Sequence, residues 1–429
     1  MMKPKIKTNL PGPKSELIIK KIKKLNIAYS GPYPYVHSKK GKGCYFKDID
    51  GNWFLDFASQ IASNPLGYNN KELNKVIKSY KKSPVKYAGQ DFNIKEHADL
   101  LEELLTIVPK NLDKAFLVNS GAEAVENCLK LAMRKQNKAK FGISFQNSFH
   151  GRTLGALSFT HSKPIHKKNY FTVSNKVLPF SEDAVEKLRK IIKQDSASSV
   201  AFVLMEAIQG EGGYNVAPEI LVKEIRKITK QHNIPFIIDE VQSGMGRTGK
   251  WWAHQHFDIQ PDLMSSAKAL QVGAAIASKK FSLESGSISS TWGGGHTLDL
   301  AVGLKTIQII KKQNLLRNVT IMGNHLKKHL YDLKNENLIN IRGKGLMLAF
   351  DLPNKKTRNN LIIGCLKSGL VILGCGEKGI RLIPPYIISE KEIGQAIEIL
   401  EPAIKRVAKP RFKHTGKICN YLTCGESHT

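Results

Sequence analysis

The sequence has few of the features that mark secreted, membrane or disulfide-stapled proteins. Its 429 residues include only six cysteines, and these lack the regular spacing of a disulfide framework. No apolar stretch approaches the length of a membrane span, since even the run from Val200 to Ile208 is interrupted by Glu206. The N-terminus is basic and carries prolines, but it lacks the apolar core of a signal peptide. We therefore expect a soluble, cytoplasmic protein with reduced thiols.

The cysteines near the C-terminus do not have the usual spacing of a zinc site either. Cys419 and Cys424 flank a short segment close to His414 and His428, and this spacing departs from the common zinc pairs. We expect an exposed tail and no bound metal.

Acidic residues are scarce relative to basic ones. The 36 Asp and Glu stand against 66 Lys and Arg, for a formal net charge of +30, and such a field attracts polyanions and anionic small molecules. The lysine runs are scattered, however, and no helix-turn-helix or zinc-finger pattern organises them. We therefore expect a lysine-rich, solvated surface and a basic tail, with charge-driven anion or nucleic-acid binding as the non-enzymatic alternative.

The chain does contain a long alternation of strand-like and helical segments. Its length exceeds the usual size of one core, which indicates two domains or one large domain with a satellite. The strand-like segments lie around Val118 and Ile143, over 200–208 and over 234–238. Helical spacing follows at 122–136, 184–194, 218–232 and 298–312. This alternation predicts βαβ units and a mostly parallel sheet flanked by helices, an α/β fold.

Both ends of the chain show a different pattern. A hairpin is predicted over 43–57, with its turn at 48–51. Beyond residue 325, helical spacing at 325–334, 358–368 and 390–406 alternates with short strands at 345–351, 370–373 and 379–383. We expect residues 1–64 and 326–408 to build a smaller α+β domain, residues 65–325 to form the large domain, and residues 409–429 to form the tail.

Polar groups follow several predicted strands, where a parallel sheet gathers its ligand-binding groups. Residues 119–122, Asn-Ser-Gly-Ala, open a helix whose unpaired N–H groups could bind a phosphate, although an ordinary helix start has the same pattern. Phe149 follows another strand and is either a ring-stacking group or a core aromatic. Asp239 ends the apolar strand over 234–238, and Lys268 follows Ser-Ser-Ala. Each of these residues taken singly has a plain structural explanation.

In order and spacing, these residues together resemble those of the class III, fold type I aminotransferases. The resemblance runs from about Leu10 to Glu401. It is strongest with 4-aminobutyrate aminotransferases, through Leu-Pro-Gly-Pro-Lys-Ser near residue 10 and the motifs at 59–63, 149–153, 160–163 and 374–376. Lysine 6-aminotransferases are also similar, through Lys-Ala-Leu-Gln at 268–271 and Ser-Thr-Trp-Gly-Gly at 290–294.

The resemblance implies pyridoxal 5'-phosphate as the cofactor and assigns residues to its phosphate and ring. Ser120, Gly121 and Ala122 would cradle the phosphate, and Phe149 would stack on the ring. Thr291 would reach the phosphate of the neighbouring subunit's cofactor, which implies a homodimer with active sites at the interface.

Three further residues would tune and hold the cofactor. Asp239 would pair with the pyridine nitrogen, because the cofactor acts as an electron sink only while that nitrogen stays protonated. Gln242 would contact the ring oxygen. Lys268 would bind the cofactor as a Schiff base and carry the proton between two carbons of the substrate.

Charged residues would handle the substrates' carboxylates. Arg152, with Lys163 nearby, would bind the carboxylate distant from the reacting amine, which suits the fork of a guanidinium. Arg381, in the segment 379–385, would bind the α-carboxylate of 2-oxoglutarate. Glu211 would neutralise Arg381 whenever the substrate has no α-carboxylate, and would swing away when 2-oxoglutarate arrives.

We therefore expect a ping-pong transamination from 4-aminobutyrate to 2-oxoglutarate, giving succinate semialdehyde and glutamate. Lysine and ornithine are the alternative donors. A racemase of the same fold would keep Lys268 and Asp239, but it would not alternate between two carboxylate placements as the Glu211 and Arg381 pair implies. Animal 4-aminobutyrate aminotransferases carry a cysteine pair for an iron-sulfur cluster where this chain has Ser120 and Glu123, so we expect no cluster.

Overall fold

The structure is a computed structural model, and it divides the chain into two compact units. The core unit comprises Lys71–Arg317, and the terminal unit comprises Met1–Asn70 together with Asn318–Thr429. The residues that the structure describes are 2–29, 31, 33–81, 86–87, 91–290, 292–409, 412, 414 and 416–422. Within these ranges, none of the helices combines the length and the apolar character needed to cross a membrane.

The strands and helices of the described residues follow in chain order. The strands are β1 (His37–Lys42), β2 (Tyr45–Asp48), β3 (Trp53–Asp56), β4 (Lys114–Val118), β5 (Phe141–Phe145), β6 (Asn175–Leu178), β7 (Val200–Met205), β8 (Phe236–Asp239), β9 (Leu263–Ser266), β10 (Gly273–Ala277), β11 (Ile339–Lys344), β12 (Met347–Asp351), β13 (Leu370–Val371), β14 (Leu373–Cys375) and β15 (Gly379–Leu382). The helices are α1 (Pro13–Leu25), α2 (Ser59–Ala62), α3 (Lys71–Ser79), α4 (Lys95–Leu105), α5 (Gly121–Lys135), α6 (Leu154–Ser158), α7 (Asp183–Asp195), α8 (Glu219–Gln231), α9 (Thr297–Lys312), α10 (Leu315–Asp332), α11 (Lys355–Lys367), α12 (Glu390–Val407) and α13 (Cys419–Leu422).

The core unit is built on one seven-stranded sheet in the order β4-β10-β9-β8-β7-β5-β6. Neighbours from β9 through β6 are parallel, whereas β10 is antiparallel to both β9 and β4. β4 therefore runs in the same direction as the parallel strands, and β10 alone runs against them. This arrangement confirms the mostly parallel sheet, and α5, α7, α8 and α9 lie where the sequence predicts helices, to within one residue at each end.

Each face of this sheet is covered by its own hydrophobic core. Because successive strand residues point to opposite faces, Ala274 and Ile276 of β10 pack in one core, with side chains of α4 and α9. Ala275 and Ala277 pack in the other core, with side chains of α5. Strands β5, β7, β8 and β9 are buried along their whole length, as expected for parallel strands covered on both faces.

The terminal unit contains two four-stranded sheets, ordered β1-β2-β3-β13 and β11-β12-β15-β14. The predicted hairpin is confirmed, since β2 and β3 are antiparallel with Phe46 opposite Phe54. The single strand predicted over 370–373 is wrong. The chain passes there from one sheet to the other, because β13 pairs with β3 while β14 pairs with β15.

Helix α10 begins ten residues before the predicted start at residue 325. Asn314, with a φ of 49°, separates α9 from α10. Beyond it, Val319, Met322, Leu326 and Leu330 are buried at helical spacing, so the apolar face of α10 extends well ahead of the predicted segment.

The short element α2 is a left-handed turn. Its four residues have φ values of 43°, 52°, 58° and 68°, and none of them is glycine. Left-handed backbone costs a non-glycine residue about 1–2 kcal/mol. The carboxylate of Asp56 supports the turn, because its Oδ1 accepts the N–H groups of Ala58 and Ser59, both at 2.8 Å.

Candidate active site

Five segments that carry predicted site residues lie at the carboxyl ends of strands of the core sheet. They are 119–122 after β4, 149–152 after β5, 206–213 after β7, Asp239 at the end of β8, and Lys268 after β9. Since these strands share one direction, their carboxyl ends form one edge of the sheet. The structure thus brings the predicted residues on these five segments to a single edge.

Helix α5 points its N-terminus out of this edge. Ser120 is its N-cap, with extended backbone, and the Ser120 hydroxyl accepts the N–H of Glu123 at 3.2 Å. The Glu123 carboxylate in turn accepts the backbone N–H of Asn119 at 3.1 Å. The N–H groups of a first helical turn have no partner within the helix, so this end suits an anion.

Close backbone packing joins the start of α5 to the other segments. A Cβ at Gly121 would lie 2.7 Å from Cγ1 of Val241 and 3.4 Å from Cβ of Ala267. A Cβ at Gly151, whose φ is +137°, would lie 2.8 Å from Cβ of Ala122. The phosphate-binding candidate therefore packs against the neighbours of Gln242 and Lys268 and against the loop that carries Phe149.

Asp239 is held by three hydrogen-bond donors. Its side chain is 4% exposed, and Oδ1 accepts the Ser265 hydroxyl at 2.9 Å and the Val241 N–H at 3.0 Å. Nδ1–H of His150 donates to Oδ2 at 2.8 Å. The His150 ring is fully buried, and its Nε2 has no hydrogen-bond partner among the described residues. The carboxylate is thus fixed in one orientation at the end of β8.

Glu206 is a site residue that the sequence reasoning missed. It directly follows β7 and is 7% exposed; Oε2 accepts the Phe149 N–H at 3.0 Å and Oε1 accepts the Gly210 N–H at 2.9 Å. Burial raises the pKa of Glu206 to about 7, with the charge of Asp239 adding to the increase and that of His150 opposing it. The available clue was a lone carboxylate within the apolar run 200–208.

Lys268 begins a short 3-10 turn, Lys268–Leu270, and its φ is +42°. Left-handed backbone at a lysine is uncommon and is found most often where surrounding structure imposes it for function. The Gln242 side chain accepts the Tyr214 hydroxyl at 2.7 Å through Oε1. Lys268 and Gln242 both follow strands of the core sheet at the carboxyl edge that carries Asp239 and the start of α5.

The charges of Arg152, Lys163 and Glu211, which are predicted to bind carboxylates, all act on one histidine in the core unit. The ring of Phe149 lies edge-on to His166, with 5.9 Å between centroids. Burial lowers the pKa of His166, the charges of Arg152 and Lys163 lower it further, and the charge of Glu211 raises it. Two cations and one carboxylate are therefore close to the same imidazole, beside the predicted ring-stacking residue.

The remaining two predicted residues are not in the described part of the core unit. Arg381 belongs to the terminal unit, where it is 5% exposed in β15, opposite Ala349 of β12 and Leu373 of β14. Thr291 lies outside the described residues, as do Cys424 and His428 of the tail.

The sheet order and the residues at its carboxyl edge define a fold type I, pyridoxal-phosphate-dependent enzyme. Residues 28–404 match the family described as aminotransferase class-III. The chain belongs to the class III aminotransferases, and its cofactor is pyridoxal phosphate. The predicted family, fold class and cofactor are confirmed.

Several relatives cover nearly the whole chain. An acetylornithine aminotransferase of Archaeoglobus fulgidus is 34% identical over 369 residues, which cover 84% of this chain and 94% of the relative. A 4-aminobutyrate aminotransferase of Dictyostelium discoideum is 33% identical over 460 residues, which cover 95% of this chain and 92% of the relative. The solved lysine aminotransferase from M. tuberculosis superposes with a TM-score of 0.85 at 25% identity, over 93% of this chain and 100% of that one.

The residues present fit the cofactor. The start of α5 offers N–H groups to a phosphate, and Gly121 leaves no room for a Cβ against Val241. Asp239 is a buried carboxylate, suited to a protonated ring nitrogen. Phe149 is only half-buried, so its ring can receive a flat partner.

We expect Gly273→Ala to weaken cofactor binding from outside the site. A Cβ at this first residue of β10 would lie 2.3 Å from the carbonyl oxygen of Ser120, which accepts the Ala124 N–H at 3.0 Å. A displacement of Ser120 would change the direction of the N–H groups in the first turn of α5. The loss of one charge-assisted hydrogen bond corresponds to a dissociation constant for pyridoxal phosphate about tenfold higher. Overpacking should also cost about 1–3 kcal/mol of unfolding free energy. Quenching of tryptophan fluorescence and urea unfolding measure the two effects.

The matched control is Gly394→Ala, the same substitution within α12. A Cβ at Gly394 meets nothing within 4 Å. Because alanine favours a helix over glycine by about 1 kcal/mol, this variant should be slightly more stable and should bind the cofactor normally. Equal cofactor affinity in the two variants would contradict the proposed role of the Gly273 contact.

Proposed function

We propose that this enzyme transfers the terminal amine of 4-aminobutyrate, or of a similar ω-amino acid, to 2-oxoglutarate by a ping-pong mechanism. The products are succinate semialdehyde and glutamate. The observation that carries this proposal is the cluster of Arg152, Lys163 and Glu211 around His166, beside Phe149. An ω-amino acid has its carboxylate far from the reacting amine, and this cluster supplies two cations for that carboxylate.

The donor's carboxylate is bound by Arg152, whose guanidinium can form two parallel hydrogen bonds with it, and Lys163 adds a second positive charge. Arg152 and Lys163 are exposed in the described chain, so an anion can reach them. With the carboxylate held there, the amine is free to extend towards Lys268. The preference is for a substrate with charges at both ends and an unsubstituted chain between them.

The remaining residues of the edge position the cofactor and move protons. When bound, pyridoxal phosphate supplies the electron sink that allows a proton to leave the carbon bearing the amine. We assign the phosphate to Ser120, Gly121 and Ala122 and the ring face to Phe149. Asp239 holds a proton on the ring nitrogen through its charge.

Two further side chains complete the cofactor assignment. Gln242 contacts the ring oxygen. The ε-amine of Lys268 holds the cofactor and, once released, carries the proton from one carbon of the substrate to the other.

The second half-reaction requires a site for an α-carboxylate. We assign it to Arg381, with Glu211 as its partner while the ω-amino acid is bound, since an arginine buried without a counter-charge would be costly. We also propose a cytoplasmic homodimer in which Thr291 reaches the phosphate bound by the partner subunit.

N2-acetylornithine is the second candidate donor, because acetylornithine aminotransferases are among the relatives that cover most of this chain. It too has a terminal amine and a distant carboxylate, so Arg152 would serve it in the same way. Lysine and ornithine, which name other structural relatives, differ by a free α-amine beside the carboxylate. That extra positive charge would lie close to the cations Arg152 and Lys163 and should disfavour them.

A half-reaction assay tests the proposal. The holoenzyme is mixed with one donor in the absence of an oxo-acid, and the visible absorption of the lysine-bound cofactor is followed. We expect 4-aminobutyrate to bleach it fastest, N2-acetylornithine next, and ornithine and lysine more slowly. Failure of 4-aminobutyrate to bleach the band would overturn the preferred donor. Conversion of L-alanine to its enantiomer without any oxo-acid would indicate a racemase instead.

Arg152→Gln shows whether the cluster binds the donor. Losing a charge-assisted hydrogen bond pair should raise the KM for 4-aminobutyrate about 10- to 100-fold, with a smaller change in kcat. Arg189→Gln is the matched control, because Arg189 on α7 is 49% exposed and pairs only with Glu186 and Glu224 among the described residues. An unchanged KM in Arg152→Gln would remove the basis of the proposal.

A further inference from the structure

We propose that Glu206 is a positioning residue whose ionised carboxylate fastens the Phe149 loop to the Gly210 loop, and whose protonation releases them. The Phe149 loop is defined as residues 146–152, and the Gly210 loop as residues 207–213. The inference rests on the proposed roles of Phe149 and Glu211 at the cofactor and substrate.

Glu206 bridges the two loops through backbone groups. The loops follow β5 and β7, which are neighbours in the sheet. One carboxylate oxygen of Glu206 accepts the N–H of Phe149 and the other accepts the N–H of Gly210, at 3.0 and 2.9 Å. The ring-stacking candidate and the start of the segment that carries Glu211 thus depend on one side chain.

A second hydrogen bond between the loops does not titrate. Nε2 of Gln209 donates to the carbonyl oxygen of Gln146 at 2.6 Å. This bond holds the bases of the loops together over the whole pH range. Glu206 acts further along the Phe149 loop, at Phe149 itself.

The surroundings of Glu206 place its titration near neutrality. Burial raises its pKa to about 7, while the neighbouring His150 and Asp239 act in opposite directions. Arg152 and Glu211 are the other charged side chains on the two loops. His150 and Asp239 are themselves hydrogen-bonded to each other. A proton gained by Glu206 therefore changes the charge next to His150 and Asp239, the pair that we place at the ring nitrogen.

Protonation changes what the carboxyl group can accept. An ionised carboxylate only accepts hydrogen bonds, whereas a carboxylic acid turns one oxygen into a donor. That oxygen then faces a backbone N–H donor, so one of the two bonds is weakened and a buried N–H loses its partner. As the pH falls through about 7, the loops should separate either at Phe149 or at Gly210.

Hydrogen–deuterium exchange of the holoenzyme tests this inference directly. Exchange at the Phe149 and Gly210 amides is measured from pH 8 to pH 6 and corrected for the intrinsic pH dependence of exchange. In the wild type we expect protection to fall about tenfold, as for the loss of one hydrogen bond, with a midpoint near 7. Glu206→Gln should exchange fast at one of these amides at every pH, without a transition.

Glu240→Gln is the matched control. Glu240 is a buried carboxylate at the adjacent strand end, and it accepts the His254 N–H at 2.9 Å and the Ser243 hydroxyl at 2.7 Å. This variant should keep the wild-type transition at Phe149 and Gly210. A transition that persists in Glu206→Gln would assign it to another group, His150 foremost, and would overturn the proposal.

The wild-type profile is decisive even if Glu206→Gln does not fold, because an absent transition at both amides contradicts the proposal without any variant. Repeating the measurement on cofactor-free protein separates this inference from the proposed function. If the transition is present in both forms but the half-reaction assay fails, the role of Glu206 in fastening the two loops is supported and the assigned donor is wrong.

Discussion

Replacing Lys268 with alanine is expected to lower kcat by at least about 10⁴-fold and to abolish the visible absorption of the lysine-bound cofactor. The substitution removes both the amine that bonds the cofactor and the group that carries the proton. Initial rates with 4-aminobutyrate and an absorption spectrum are sufficient to measure this effect.

The matched lysine is Lys279, which is exposed on the short turn that follows β10. Lys279→Ala should retain the wild-type spectrum and rate, and both variants should give the same far-ultraviolet circular dichroism. A visible band that survives in Lys268→Ala would mean that another lysine holds the cofactor, and the site would then have to be built around that residue.

The order of strands and helices in the core unit could be predicted because its signals are local. Apolar runs followed by amphipathic stretches predict βαβ units. β7 lies within its predicted run, and β8 lies within its run except for Asp239. The reversed direction of β10 could not be predicted in the same way. Its sequence, Gly-Ala-Ala-Ile-Ala, is apolar in either direction, and only pairing with β4 and β9 decides the orientation.

The left-handed turn α2 could not be predicted from the sequence either. Left-handed backbone is normally indicated by glycine or asparagine, but the turn consists of Ser-Gln-Ile-Ala. What imposes the conformation is the Asp56 carboxylate, which accepts two N–H groups at its start. Such an interaction can be recognised only in the folded structure.

For the candidate site, the sequence predicted residues to which we assign chemical roles, and it missed residues that contact them. Asp239 and Lys268 each have a plain structural explanation when taken singly, and only their order and spacing with the other motifs invite comparison with a family. His150 was part of a quoted motif, yet its contact with Asp239 joins residues 89 positions apart. Glu206 was noticed only as an interruption of an apolar run. Its hydrogen-bond partners are backbone N–H groups, and the residue types in a sequence do not reveal which backbone groups a side chain contacts.

Asp239→Asn is expected to lower kcat by about 10³-fold, the second largest effect after that of Lys268→Ala. In the role that we propose, the carboxylate would keep the ring nitrogen protonated through its charge, because an adjacent opposite charge of this kind shifts a pKa by about 1–3 units. Asparagine has no charge, so that contribution disappears. The measurement is kcat for 4-aminobutyrate, together with the visible spectrum of the bound cofactor across pH.

The structure adds a second consequence, because all three hydrogen bonds that the Asp239 side chain makes with the described residues come from donors. Ser265 and Val241 donate to Oδ1, and His150 donates to Oδ2. An asparagine offers only one acceptor oxygen, so its NH2 group must face a donor in this buried site. One unsatisfied donor costs about 1–3 kcal/mol, which urea unfolding of the cofactor-free protein should show.

Ser265→Ala separates the two consequences. It removes one donor but keeps the carboxylate and its charge, so kcat should stay within about tenfold of the wild type. If Ser265→Ala and Asp239→Asn slow the reaction equally, the orientation of the side chain matters and its charge does not. If only Asp239→Asn is slow, the negative charge at the end of β8 is what the chemistry uses.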